Sequence, residues 1–172
     1  MSLTKSKRKT NKTRKNNKTL SVWIDKTELP FTQKDYGSNF LVMDEVETYN
    51  RAGEKNEPIS VAQSTIYQPH TFPERCIDGT YYTAKSQQCH TDGKGERWFR
   101  LDHAPSTDIS KIVIYPYYNM PKGTMIRIVA NAPKTHRAAL KQTLWSLPFT
   151  AKFKTKKTIK FNPKTWTKGQ YS

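Results

Sequence analysis

Trp98-Phe99-Arg100-Leu101-Asp102, then Ile109-Ser110-Lys111-Ile112-Val113-Ile114-Tyr115, then Met125-Ile126-Arg127-Ile128-Val129-Ala130: these three runs decide the fold class of the chain. In the first, Phe99 and Leu101 alternate with Trp98, Arg100 and Asp102, the two-residue period of a strand. The second holds three β-branched residues in succession and no strong helix former, and Pro116 ends or kinks it. The third follows a Pro121-Lys122-Gly123 turn, so the spacing predicts a hairpin between the second and third runs. Phe99, Leu101, Ile112, Ile114, Ile126 and Ile128 are expected to point inward.

Working outward, residues 59–65 form another short β-rich run, and residues 66–96 are polar loops rich in Pro, Gly, Ser and Gln. A helix is expected over 135–146, with Thr135 as N-cap and Ala138, Ala139, Leu140 and Leu144 following. Phe149, Phe153, Ile159 and Phe161 suit a last strand or an extended tail. Residues 21–57 mix single apolar residues with acids and read as an irregular lead-in, with one strand at 40–43. The expectation is therefore an all-β chain: one antiparallel β-sandwich domain over 58–150 between extended basic arms. With 172 residues the chain is long enough for one domain with a sizeable core.

Charge divides the chain more sharply than hydropathy does. The formal net charge is +16. Residues 1–20 hold Lys5, Lys7, Arg8, Lys9, Lys12, Arg14, Lys15 and Lys18 and no acid. Residues 151–172 hold Lys152, Lys154, Lys156, Lys157, Lys160, Lys164 and Lys168, again with no acid. The stretch between them carries 15 basic and 14 acidic residues, a net of +1. Such ends suit polyanions or acidic protein surfaces, through contacts that weaken with salt. Trp23 follows the first arm closely, and Phe153, Phe161 and Trp166 interleave with the lysines of the second. Both features suit arms that dock on protein. No apolar stretch approaches the roughly 20 residues of a membrane-spanning helix. No apolar core follows the basic N-terminus, so export through a signal peptide is not expected.

Catalytic signatures are missing. The sequence has no Gly-rich phosphate loop, no HExxH and no Gly-x-Ser-x-Gly. Asp44 and Glu45 are adjacent and read as a solvated turn. Cys76, Cys89, His90 and His103 lack the short ligand spacings of a structural zinc site. Cys76 and Cys89 could bond to each other; without an export signal, two free thiols is the preferred reading. No enzymatic activity, cofactor or metal is expected.

The run from 59 to 119 resembles a known family. Ile59-Ser60-Val61-Ala62-Gln63-Ser64-Thr65, Cys76-Ile77-Asp78-Gly79, Cys89-His90-Thr91, Trp98-Phe99-Arg100-Leu101-Asp102 and Ile109 to Tyr115 stand in the order and spacing of discoidin, or coagulation-factor type C, domains. Within that family they are similar to the fucose-binding F-type lectins. The resemblance implies a galactose-binding-like jelly-roll sandwich. It also implies a sugar site built from a His on one loop and an Arg-x-Asp turn after it. His90 matches the His. Tyr117 and Asn119 stand where the Arg and Asp would be, with 26 residues between His90 and Tyr117. A phenol does not reproduce the planar donor fork of a guanidinium, so fucose binding is expected to be weak. Lys122 or Arg127 could reach back. Arg100 and Asp102 suit a polar network that holds loops, and Tyr115, Tyr117 and Tyr118 suit stacking on a ligand or a protein.

Three functions from different classes follow. The first is a non-enzymatic structural or adaptor component of a large assembly, docking through its arms. The small sandwich with cationic ends resembles minor capsid proteins of icosahedral viruses, which implies other protein subunits as partners and a place in the virion. Otherwise the cytoplasm or nucleus of the producing cell is expected. The second function is glycan recognition around His90, Arg100, Tyr117, Tyr118, Asn119 and Lys122. The third is non-specific nucleic-acid binding through the arms.

Overall fold

The computed structural model describes residues 19–27, 29, 40–81, 88–93 and 95–160. The arm residues Lys5, Lys7, Arg8, Lys9, Lys12, Arg14, Lys15 and Lys18 lie outside them, as do Phe161 and Trp166. Two antiparallel sheets and one short helix make up the described part. The strands are β1 (Leu20–Asp25), β2 (Val42–Tyr49), β3 (Lys55–Asn56), β4 (Ser60–Gln63), β5 (Cys89–His90), β6 (Trp98–His103), β7 (Lys111–Pro116), β8 (Met125–Ala130), β9 (Thr143–Pro148) and β10 (Lys157–Lys160). The helix is α1 (His136–Gln142), and a 3-10 turn spans Pro73–Cys76. Sheet A runs in the order β4-β6-β1-β8-β9. Sheet B runs β10-β7-β2-β3, with β5 also paired to β2.

The alternation in the three opening runs places the core. Phe99, Leu101, Ile126 and Ile128 from sheet A meet Ile112 and Ile114 from sheet B, all at most 1% exposed and in one cluster. Burying each such side chain contributes about 1.5–3 kcal/mol. The opposite face of sheet A is also covered. Trp23, Trp98 and Val129 pack under Ala139 of α1, with the two indoles 4.6 Å apart. The Thr135 hydroxyl accepts from the Ala138 N–H and starts α1 as expected. The helix stops at Gln142, because Leu144 and Trp145 belong to β9, paired with β8.

Several expectations need correction. The segment 21–57 is no lead-in: β1 is the central strand of sheet A, between β6 and β8, and β2 pairs with β3, β5 and β7 in sheet B. Trp23 is fully buried on β1 against Trp98, so it is no docking anchor. β7 and β8 form no hairpin. Pro116 closes β7, and the chain crosses from sheet B to sheet A through the turn at 121–124. The C-terminal stretch is no free arm before residue 161. The Met120–Phe153 bridge and β10 on β7 join it to the body, with Ile159 buried opposite Ile112. Lys152, Lys154, Lys156 and Lys157 stay exposed on it. Asp44 and Glu45 form no solvated turn but lie buried on β2. The register shifts between Met43 and Glu45, a bulge that keeps Met43 in the core while Glu45 pairs with Tyr115. Finally, Cys76 and Cys89 are bonded to each other.

Candidate functional site at the aromatic loop end

The first residues of β2 organise one end of the sandwich. Val42 pairs with His90 on one side, and on the other its carbonyl accepts from the Tyr117 N–H at 3.3 Å. The two positions that the lectin resemblance singled out are thus set around a single residue. Leu41 and Thr91 lock the same ladder: Leu41 N–H donates to Thr91 Oγ1 at 2.9 Å and Thr91 N–H to Leu41 O at 3.0 Å.

Gln63 holds the surrounding loops. Its Nε2 lies 2.7, 3.0 and 3.1 Å from the carbonyls of Thr65, Thr71 and His90, drawing three chain segments to one amide. The Cys76–Cys89 disulfide ties the 3-10 turn to β5 beside it. These devices make irregular backbone rigid without a hydrogen-bonded sheet.

Three rings sit on this frame. The Tyr67 ring lies 4.4 Å from that of His90 at 31°, and Phe40 lies 4.9 Å from His90 and 5.5 Å from Tyr67. Tyr117 and Tyr118 pack edge to face at 4.8 Å. Ile66 and Tyr67 are 52% and 41% exposed and Tyr118 37%, so this end presents apolar surface to solvent. His90 itself is buried. Burial pushes its imidazole below the ordinary value and the nearby Lys26 charge adds to this, against the opposing pull of Thr91 and Asp92. The ring is therefore neutral at pH 7. Its Nδ1 lies 2.9 Å from Thr91 O and must carry the proton, which leaves Nε2 as an acceptor.

The other expected site residues go elsewhere. Arg100 lies on the outer face of sheet A, donating to Pro133 O and paired with Asp102 at 3.0 Å. Arg127 is bound to Asp25 on that face at 3.1 Å. Asn119 and Lys122 are exposed beyond β7, and no contact joins Lys122 to His90 among the described residues. The structure thus brings together His90, Tyr117 and Tyr118 but not Arg100, and the place of the missing guanidinium is not filled by Arg127.

A second cluster lies on the outer face of sheet B, where sequence reading had seen only a turn. The Lys55 ammonium bridges Glu45 and Glu47, at 3.5 and 3.3 Å. The hydroxyls of Tyr81 and Tyr49 donate to Glu47 at 2.7 and 2.8 Å, and Gly79 N–H donates to Glu45 at 3.1 Å. Burial, reinforced by Asp78 and Glu47, pushes the Glu45 carboxyl up to about 7, against the pull of Gly79 and Lys55. Burial also opposes ionisation of Glu47, but the two phenols and Lys55 outweigh it and hold Glu47 below the usual range. The period-two spacing of Glu45, Glu47 and Tyr49 is the signal that could have found this cluster.

Comparisons with known proteins return no matching family model, no matching curated protein and no matching solved structure.

Proposed function

We propose that the chain is a non-enzymatic structural or adaptor component of a large assembly, of the kind that a virion's minor capsid protein represents, built on a discoidin-like jelly-roll sandwich. The observation that carries this reading is the loop end. Exposed Ile66, Tyr67 and Tyr118 stand on a frame held by Gln63 and the disulfide. Rigid aromatic side chains with one apolar body and one polar tip are what protein interfaces favour. The disulfide fits a protein that leaves the reducing cytosol, as a virion-surface component does. The basic termini add long-range attraction to an acidic partner. The test is co-sedimentation of the full chain with the particles of its producing cell, at physiological salt. Tyr67→Ser/Tyr118→Ser should abolish co-sedimentation and leave the chain folded with a cooperative thermal transition, lowered only by the lost ring contacts. Removal of residues 1–20 should weaken it in the way raised salt does. Undiminished co-sedimentation of the double variant refutes the loop end as the docking surface.

A second reading is glycan recognition, favoured by the acceptor Nε2 of His90 beside the Tyr67 face. A fucose signal on a glycan array that His90→Ala removes would establish it in place of the first.

A further inference from the structure

The far end of sheet B, about 20 Å along β2 from Val42 at ~3.3 Å per residue, carries the opposite chemistry. One cross-strand row reads Lys55, Tyr49, Lys111, Lys160, each directly opposite the next in register and all on the outer face. Lys55 is neutralised by Glu45 and Glu47. Lys111 and Lys160 face each other with no carboxylate partner among the described residues, and like charges directly opposite on a sheet repel. The Lys111 ammonium lies 3.6 Å from the centre of the Tyr49 ring, which fixes its position. Beside the pair opens a cleft of about 400 Å³ lined by Asn50, Arg51, Gly53, Ser110, Lys111 and Lys160. Arg51 turns its Nε toward Asp108 at 3.5 Å. The rest of its guanidinium has no partner among the described residues. Three cations converge on this cleft, and the two acids beside it are engaged elsewhere, Asp108 by Arg51 and Glu54 by the Asn50 amide at 2.7 Å.

We propose that this cleft binds a phosphate group, held by Lys111, Lys160 and Arg51. An anion between the two ammoniums turns their repulsion into attraction, and the guanidinium supplies a planar donor fork for phosphate oxygens. A small free ligand and a nucleic-acid backbone both offer this phosphate chemistry, and the experiment separates the two. The full chain is titrated calorimetrically with inorganic pyrophosphate and with a ten-residue oligothymidylate. Lys111→Gln/Lys160→Gln should weaken pyrophosphate binding by about ten-fold or more. Lys134→Gln/Lys141→Gln, which removes the same charge from exposed positions elsewhere, should change it less than about two-fold. If the oligonucleotide also uses the cleft, the cleft variant lowers its salt slope by about one per lysine. An unchanged slope with lost pyrophosphate binding assigns the cleft to a small ligand. Lys160→Glu guards against misfolding as an explanation. It replaces a like pair with an opposite pair at an exposed position, so thermal stability should hold or rise while pyrophosphate binding falls. Equal losses in the cleft and control variants, or no binding of either probe, overturns the proposal.

Discussion

The outer faces of the two sheets both bury carboxylates, in different company. On sheet A each acid has its own cation. Asp25 is held by Arg127 at 3.1 Å and His136 at 2.8 Å. Asp102 is held by Arg100 at 3.0 Å and by the hydroxyls of Ser21 and Ser60, both at 2.6 Å. On sheet B, Glu45 and Glu47 share one cation among the described residues, Lys55. A buried charge without its own partner is costly, and a carboxyl can escape that cost by keeping its proton. Glu47 secures the phenols and stays ionised, while Glu45 is left to titrate near pH 7. Burial disfavours the charge on both glutamates, and only Glu47 gathers enough donors to outweigh it.

The largest effect expected from breaking this pattern is on sheet A. Asp25→Asn sets an NH2 donor against the Arg127 and His136 donors in place of Oδ2, while its remaining oxygen keeps the turn contact to Thr27 N–H. A loss of about 3–5 kcal/mol in urea unfolding is expected. A loss below about 1 kcal/mol would mean that the pairing is incidental.

Sheet B should respond through pH instead. The native Glu45 carboxyl holds its proton up to about 7 and the unfolded one only to 4.5, so this group costs stability as pH rises through that window. Glu45→Gln should therefore gain on the wild type between pH 4.5 and 7, by up to about 3 kcal/mol in all. His103 tilts the other way. Burial pushes it down to about 4 against 6.5 unfolded, so its cost appears as pH falls from 6.5 toward 4. His103→Gln should gain on the wild type over that lower window. Difference curves that are flat with pH would contradict both assignments.

The smallest effect is expected for Lys55→Met. The ammonium is partly exposed and screened, so a loss of about 1 kcal/mol is expected at pH 8. It should shrink at pH 4.5, where Glu45 is protonated. Denaturation midpoints at the two pH values that shift equally would show that Lys55 acts by packing alone.

What could be read in advance follows from the range of the interactions. Phe99, Leu101, Ile112, Ile114, Ile126 and Ile128 announce themselves by local alternation, and all six are core. β1 and β2 did not, because Asp25, Lys26, Asp44, Glu45 and Glu47 look like surface residues until distant partners are known. The partners of Asp25 lie 102 and 111 residues away. The bulge between Met43 and Glu45 also breaks the alternation that would have marked β2. The turn at 121–124 has the composition of a hairpin, yet it carries the chain between sheets, a choice made by packing. At the loop end, motif spacing singles out His90 and Tyr117, and the structure sets both beside Val42. The role of Gln63, which secures the loops, was not legible, since its three acceptors are backbone carbonyls.

The central place of β1 has a consequence for how the chain is made. Leu20–Asp25 leaves the ribosome before both its neighbours, Trp98–His103 and Met125–Ala130, which follow about 75 and 100 residues later. For all that time its backbone donors and acceptors and its Val22, Trp23 and Ile24 have no native partner. Unpaired apolar strands of this kind aggregate readily. The eight cationic residues in the first twenty positions flank this strand directly. Like charge flanking an unpaired apolar strand opposes its association with other chains.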